Sequence, residues 1–287
     1  MYSENTLKFD FSSFSGPFDK NGTTGISIAN AKALANVDFN GVIGGSQADV
    51  TIYGLSSDLM ATLSARGIGA ATNLNVNIGL DIYANDTLIF SGMIYSCYAN
   101  MNSMPEPGLV INAYAGLDIQ YKSTKPYTYD GTTSALSVIQ AIASPFGYSV
   151  VSNGIDGYQA TNTHLEGSPL QQIRELCMHF GFLMKVVGKE VHVYGDSGSG
   201  SGVVAQVGPN NGLIGYPVFT QGGIMYQAKF SPYLAAYEKV KLTTSLPNAS
   251  GTYMNNVVMH RLSSRMPDGP WMSLCQAIYP IDGSNNG

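Results

Sequence analysis

Charged side chains are scarce in this sequence: Asp, Glu, Lys and Arg together make up 11% of its 287 residues, against roughly a quarter in an average soluble domain. A free monomer keeps its exterior well charged for solubility. A surface built instead from Gly, Ser, Asn and Tyr points to one that partners largely cover. No run of Lys or Arg occurs, and 14 basic against 19 acidic residues leave a net charge of -5. Gripping nucleic acid needs clustered cations that displace counterions, so that class of function is disfavoured, whereas DNA passing by is not. Cysteine is equally sparse: Cys97, Cys177 and Cys275 are far apart and no C-x-x-C occurs. They read as reduced, buried thiols of a protein made in a cytosol. No apolar run approaches the roughly 18 residues of a transmembrane helix. The start, MYSENTLKFDFSSF, has no cationic segment followed by an apolar core, so neither signal peptide nor membrane insertion is expected. The sequons at Asn21, Asn85 and Asn248 are then chance matches in a chain rich in Asn, Ser and Thr.

What is present begins with length enough for a substantial core and two or three structural units. Residues 1–124 read as β-rich. LNVNIGLDI sets Leu74, Val76, Ile78, Leu80 and Ile82 on one face and Asn75, Asn77, Gly79 and Asp81 on the other, the period of a half-buried strand. Asn85-Asp86 then supplies turn chemistry before TLIFSGMIYSCYA, which predicts a hairpin. Pro105 and Pro107 in MPEPG exclude a strand interior, after which LVINAYAGL alternates again. SSDLMATLSARG predicts one short helix with Ser56 or Ser57 as N-cap and Gly67 as its stop. The run from Gly67 to Thr72, GIGAAT, lacks the third glycine and the strand-to-helix context of a dinucleotide fingerprint.

The segment from 125 to 195 carries the most informative pattern. SALSVIQAIASPFGY from Ser134 and SPLQQIRELCMHFGF from Ser168 share S-x-L-x-x-I-x-x-[IL]-x-x-x-F-G-[YF]. At 3.6 residues per turn, Leu170, Ile173, Leu176 and Phe180 fall within an arc of roughly 120°, as do Leu136, Ile139, Ile142 and Phe146. Ser168 as N-cap, Pro169 at N1 and Gln171 at N3 make a capping box, and Gly147 and Gly181 can adopt the left-handed conformation that ends each helix. FLMKVV and EVHVYG flank Gly188-Lys189, suited to a type II′ hairpin. The spacing matches a tetratricopeptide repeat, but one helix plus extended chain in two copies does not build a solenoid. DSGSGSG, 196–202, reads as a flexible linker. Beyond it GIMYQAKF, EKVKLTTSL, TYMNNVVMHRLSSR and WMSLCQAI are short strands between turn signals, as in a small barrel or sandwich.

The segment 168–195 also holds Cys177, His179 and His192, a tempting metal set. Cys177 and His179 lie roughly 160° apart around one helix and cannot converge on an ion. Cys177 falls in the apolar arc and His179 in an exposed last turn. His192 and Tyr194 point away from Val191 and Val193. Asp118, Glu166, Glu175 and Asp196 are candidate acids, but none sits in a pattern that fixes a partner. GSGSG at 198–202 puts Gly where a G-x-S-x-G nucleophile needs Ser. No catalytic, cofactor-binding or metal-ligating residue is therefore assigned. Tyr83, Phe90 and Tyr95 follow strand alternation, which favours packing over sugar stacking.

At TLIFSGMIYSCYA, at SPLQQIRELCMHFGFLMKVVGKEVHVYG, and at GLIGYPVFTQGGIMYQAKFSPYL with MHRLSSRMPDGPWMS, the chain resembles the baseplate hub proteins of phage tails, the Mu-like hub and late control protein D group. The resemblance implies a mainly β fold with a small α+β part: a β-barrel-like domain over 1–124, the helix-strand domain over 125–195, and a second β-barrel-like domain over 203–287. It further implies a non-enzymatic homotrimer in which two barrels per chain make a ring of six between a hexameric tail tube and a trimeric spike, with tape-measure ends anchored there and DNA only in transit. The protein would be made in a bacterial host's cytoplasm and end in the virion. The chain ends soon after its last strands, so puncturing or wall-cutting activity is expected of a partner. Two other readings stay open, a carbohydrate-binding or carbohydrate-active β-rich tail protein and the hub part of a type VI-like contractile injection machine.

Overall fold

A computed structural model of the chain describes residues 5–14, 16–18, 21–39, 45–64, 78–103, 105–195 and 202–279. The first part contains β1 (Leu7–Ser13), β2 (Gly25–Ala29), β3 (Lys32–Phe39), β4 (Gln47–Tyr53), the helix α1 (Ser57–Leu63), β5 (Ile78–Ala84), β6 (Thr87–Asn100) and β7 (Gly108–Tyr114). The short helix α2 (Leu117–Tyr121) leads to β8 (Tyr127–Ser134), α3 (Ala135–Ala143), β9 (Ser149–Asn153), β10 (Gln159–Leu165), α4 (Pro169–Phe180), β11 (Leu183–Val187) and β12 (Glu190–Tyr194). The last part holds β13 (Ala205–Val207), β14 (Leu213–Thr220), β15 (Gly223–Lys229), β16 (Lys239–Leu242), β17 (Gly251–Ser264) and β18 (Trp271–Ile278). The expected linker residues 196–201 and the GIGAAT run lie outside the described residues, as does the first half of LNVNIGLDI.

Two compact units form. The first comprises Met1–Asp38, Ser46–Leu117 and Met259–Met272, the second Phe39–Gly45, Asp118–Val258 and Ser273–Gly287. In the first, the strand order is β3-β4-β7-β6-β5-β1-β2 with antiparallel neighbours, and β17 lies beside β3. Alternation sets the core: Leu7, Phe9 and Phe11 of β1, Val50 and Ile52 of β4, and Leu80 and Ile82 of β5 are all at most 1% exposed, each fully buried side chain contributing about 1.5–3 kcal/mol. Asn85 and Asp86 both have positive φ, 46° and 64°, the type I′ turn whose twist suits a two-residue hairpin. The Ser56 hydroxyl caps α1 by accepting from the Leu59 N–H.

The end of β17 completes this unit from far along the chain. Arg261 forks onto both carboxylate oxygens of Asp38, and the Ser264 hydroxyl donates to the Ala31 carbonyl at 2.6 Å. His260, next to Arg261 in sequence, is 3% exposed. Burial, with the Arg261 charge beside it, lowers its pKa to about 4. Folding therefore disfavours the imidazolium, and the contribution is complete above the unfolded pKa near 6.5 and lost as pH falls from there through about 4. The melting temperature is expected to drop over that window, by the equivalent of about 3 kcal/mol, and His260→Gln should flatten this part of the profile; calorimetry across pH 4–7 checks both.

In the second unit α3 and α4 pack on one another, and the three-stranded sheet β11-β12-β9 follows, β9 parallel to β12. The two repeats fold alike. Ser134 accepts from the Ser137 N–H, and Ser168 with Gln171 completes the capping box. Such caps contribute about 1 kcal/mol each. Gly147 and Gly181 end the helical turns at φ 77° and 72°. Gly188 at φ 56° turns β11 into β12. β8 and β10 form a separate two-stranded ribbon. The remaining strands run β14-β15-β18-β17, with β16 beside β17 and β13 parallel to β16, around a core that includes Ile224, Tyr226, Val240, Tyr253 and Val258. The Tyr226 hydroxyl donates to Asn255 Oδ1 at 2.8 Å inside it. The architecture is mainly β with a small α+β part, as expected. Among the described residues no strand path closes into a barrel: it ends at β2 in the first unit and at β14 in the second. Among them, too, no helix is long and apolar enough to cross a membrane.

Candidate functional site

The residues that suggested chemistry are placed as follows. Cys177 is fully buried in the apolar face of α4, and burial pushes its thiol up to about 12. Cys97 and Cys275 are likewise buried and pushed up to about 12. Since the thiolate is the nucleophile, a soluble thiol reagent at pH 8 should label the folded chain at least about 100-fold more slowly than the chain in denaturant; one rapidly labelled cysteine in the folded protein would contradict this. His179, exposed in the last turn of α4, lies edge-on to Phe180 with ring centroids 4.9 Å apart. His192 Nε2 is 3.1 Å from Glu190 on its own strand. Burial, then the nearby Lys185 charge, lowers its pKa. Among the described residues no three His, Cys, Asp or Glu side chains are grouped to hold a metal ion.

Asp118 is engaged rather than free: it accepts from the Tyr148 hydroxyl and from the Lys189 ammonium, which sits 4.4 Å over the Tyr148 ring. Burial, then the Asp118 hydrogen bond, raises the Tyr148 pKa well beyond its ordinary value. This cluster ties α2 to the turns before β9 and β12. Glu166 pairs with His164 at 3.1 Å, and Glu175 is exposed on α4. Asp196 lies outside the described residues. Sequence reading missed Lys185, a cation drawn inward. Its ammonium donates to the Ala236 carbonyl at 3.2 Å and lies 5.3 Å over the Tyr194 ring, and burial lowers its pKa. Strand alternation placed Lys185 opposite Met184 and Val186, but nothing local announces a carbonyl 51 residues on.

The outward-facing features belong to surfaces. β14 ends its strand path and exposes Tyr216 at 70%, Val218 at 57% and Phe219 at 47%. Val218 and Phe219 are consecutive, so both faces of this edge are apolar. From Val203 to Ala228 there is no charged residue. Gly215, at φ 68°, and Pro217 lie where the β14–β15 register shifts, a bulge that blunts backbone pairing at the edge and turns the burden of recognition to side chains. A cleft of ≈ 250 Å³ beside it is lined by Val203, Val204, Lys229 and Tyr233 among others. Monomers rarely leave such an apolar band open.

The first unit has the opposite character on the face away from its core. Ser96 Oγ donates to Asn112 Oδ1 at 2.7 Å, and the Asn112 amide donates to Asp49, a side-chain ladder across β6, β7 and β4. On β1, Asp10 accepts from Ser27 at 2.6 Å and from Lys8 at 2.8 Å, with Asp81 directly across from it on β5. Polar groups here are fixed by one another and carboxylates predominate over cations.

No protein-family model matches the chain, and no curated protein matches it in sequence. Solved structures match it in fold. The 43 kDa tail protein of prophage MuSo2 from Shewanella oneidensis superposes with a TM-score of 0.62 at 10% identity, covering 97% of this chain and 97% of that one. A tail protein from Neisseria meningitidis gives a TM-score of 0.67 at 9% identity over 96% and 97%. An E. coli component of the type VI secretion system, described as structurally similar to T4 bacteriophage tail proteins, gives 0.57 at 10% over 87% and 73%. The chain has the fold of phage tail proteins. That fold is mainly β with a small α+β part, as the resemblance anticipated, and the secretion component shares it.

Proposed function

We propose that the chain is a structural hub subunit of a phage tail and not an enzyme: a homotrimer whose pseudo-sixfold ring joins the hexameric tail tube to the trimeric spike, receives the tape-measure end and lets DNA pass. The observation that carries this reading is the doubly apolar β14, at an open sheet edge and within a charge-free run from Val203 to Ala228, which needs other protein chains to cover it. The polar face of the first unit, with Asp10, Asp49 and Asp81, suits a wall that DNA slides past, since cations would hold phosphates. In this reading the subunit is made in the bacterial cytoplasm and ends in the virion baseplate.

Light scattering and native mass spectrometry of the purified chain, alone and with tube and spike proteins, test the assembly. A threefold mass that grows on adding tube protein is expected, and a strict monomer that never enters a tail particle overturns the reading. The fold likeness to a type VI secretion component supports a second reading, the same hub role in a contractile injection machine. Purified tail particles that carry the chain together with packaged DNA favour the phage over it.

A further inference from the structure

A larger cleft, of ≈ 480 Å³, lies within the second unit between β10 and α4, inside the roughly 300–1,000 Å³ range of ligand clefts. One wall is residues 160–165 in unbroken succession, the other a helix face with Glu175, Leu176, Met178 and His179. Side chains of a strand alternate between its two faces. Consecutive residues line a cleft where the strand turns its backbone edge toward it or bulges, and β10 bulges at Asn162, φ 48°, where its register with β8 shifts. Among the described residues that edge is unpaired, since there β10 pairs only with β8. On either side of that bulge, alternate residues of β10 aim N–H and C=O groups toward this edge. The walls are held at both ends, by the capping-box turn at Ser168 and by Tyr158 against Phe180, with ring centroids 5.9 Å apart.

The electrostatics select an occupant. Among the described residues no Lys or Arg lines the cleft. His164 is already engaged by Thr128 at 2.9 Å and by Glu166. Glu175 is exposed, and among the described residues neither a hydrogen bond nor an ion pair engages its carboxylate. Beside it Met178 is 58% exposed. We infer that this cleft seats an extended segment of another protein, added as a third strand on the free edge of β10, with a basic side chain at Glu175 and an apolar one across Met178. Main-chain hydrogen bonds supply affinity in such strand addition and the flanking side chains supply selection. Six strand residues at about 3.3 Å each span a segment of similar length. The inference does not rest on the ring: a chain that stays monomeric yet binds such segments upholds it, and a trimer that binds none sinks it alone.

The test is a selection of random displayed decapeptides on the full chain, followed by anisotropy titration of the recovered peptides. Recovered sequences are expected to carry one Lys or Arg amid alternating apolar residues. Glu175→Lys, at an exposed position, should fold normally by circular dichroism and weaken binding at least about tenfold. N-methylating alternate peptide amides should abolish binding, whereas methylating the intervening ones should not, and amide exchange should slow within 160–165. Failure to recover peptides, indifference to Glu175→Lys or to N-methylation, or protection confined to β14–β15 or to the edge of β8 overturns the inference.

Discussion

Leu176→Asp is expected to yield no folded protein at 25 °C. Leu176 is 3% exposed on the face of α4 that carries Leu170 and Ile173. Losing the leucine's burial alone costs about 2–5 kcal/mol, and a carboxylate without a partner in that place adds several more. Together these match the roughly 5–15 kcal/mol that separates a folded domain from its unfolded chain. The readout is the cooperative thermal transition in circular dichroism, which should vanish. Met178→Asp, two residues along at a 58% exposed position, should melt within about 2 °C of the parent. If both variants melt alike, the repeat helix does not support the fold as argued.

The second large effect concerns assembly. Tyr216→Asp combined with Val218→Asp should leave the fold of the single chain intact by circular dichroism, because both side chains are more than half exposed in it. Association should weaken at least about 100-fold, since central interface anchors are worth 2 kcal/mol or more each. Charges on an edge strand are also a means by which proteins prevent strand-to-strand contact. Sedimentation at several concentrations reads the result. A double variant that still forms the parent's oligomer and joins tail particles would move the interface away from β14. Unlike the Leu176 change, which removes the fold, this one separates folding from function.

Local order was legible where one residue decides a local conformation. Asn85-Asp86, Ser168 with Gln171, Gly181 and Gly188 each announced a turn, cap or stop that the structure contains. The alternation in LVINAYAGL became β7, with Leu109, Ile111 and Ala113 inside. Long-range pairing was not legible. The parallel contacts of β12 with β9 and of β13 with β16 depend on crossovers that leave no periodic trace. The same limit hid Lys185 and the unpaired edge of β10, since a strand's own residues do not say how many neighbours it has. The exposed hairpin was half legible: its lack of charge from 203 to 228 stood in the sequence, but Val218 and Phe219 in succession read equally as the interior of a buried strand. The three cysteines were read as buried from their spacing, and burial is what raises their pKa values.

The late return of β17 to the first unit sets a clock on synthesis. Asp38 meets its partner only when Arg261 exists, and the unit draws on Met259–Met272 of a 287-residue chain. A ribosome has therefore made the chain as far as these residues before the first unit can finish, and closing so long a loop is slow. A nascent or prematurely terminated chain shows an unfinished sheet beside β3, open to chaperones and proteases. Only a chain extended through Met272 presents a completed first unit, so products truncated before it are left with an open sheet edge that longer ones do not show.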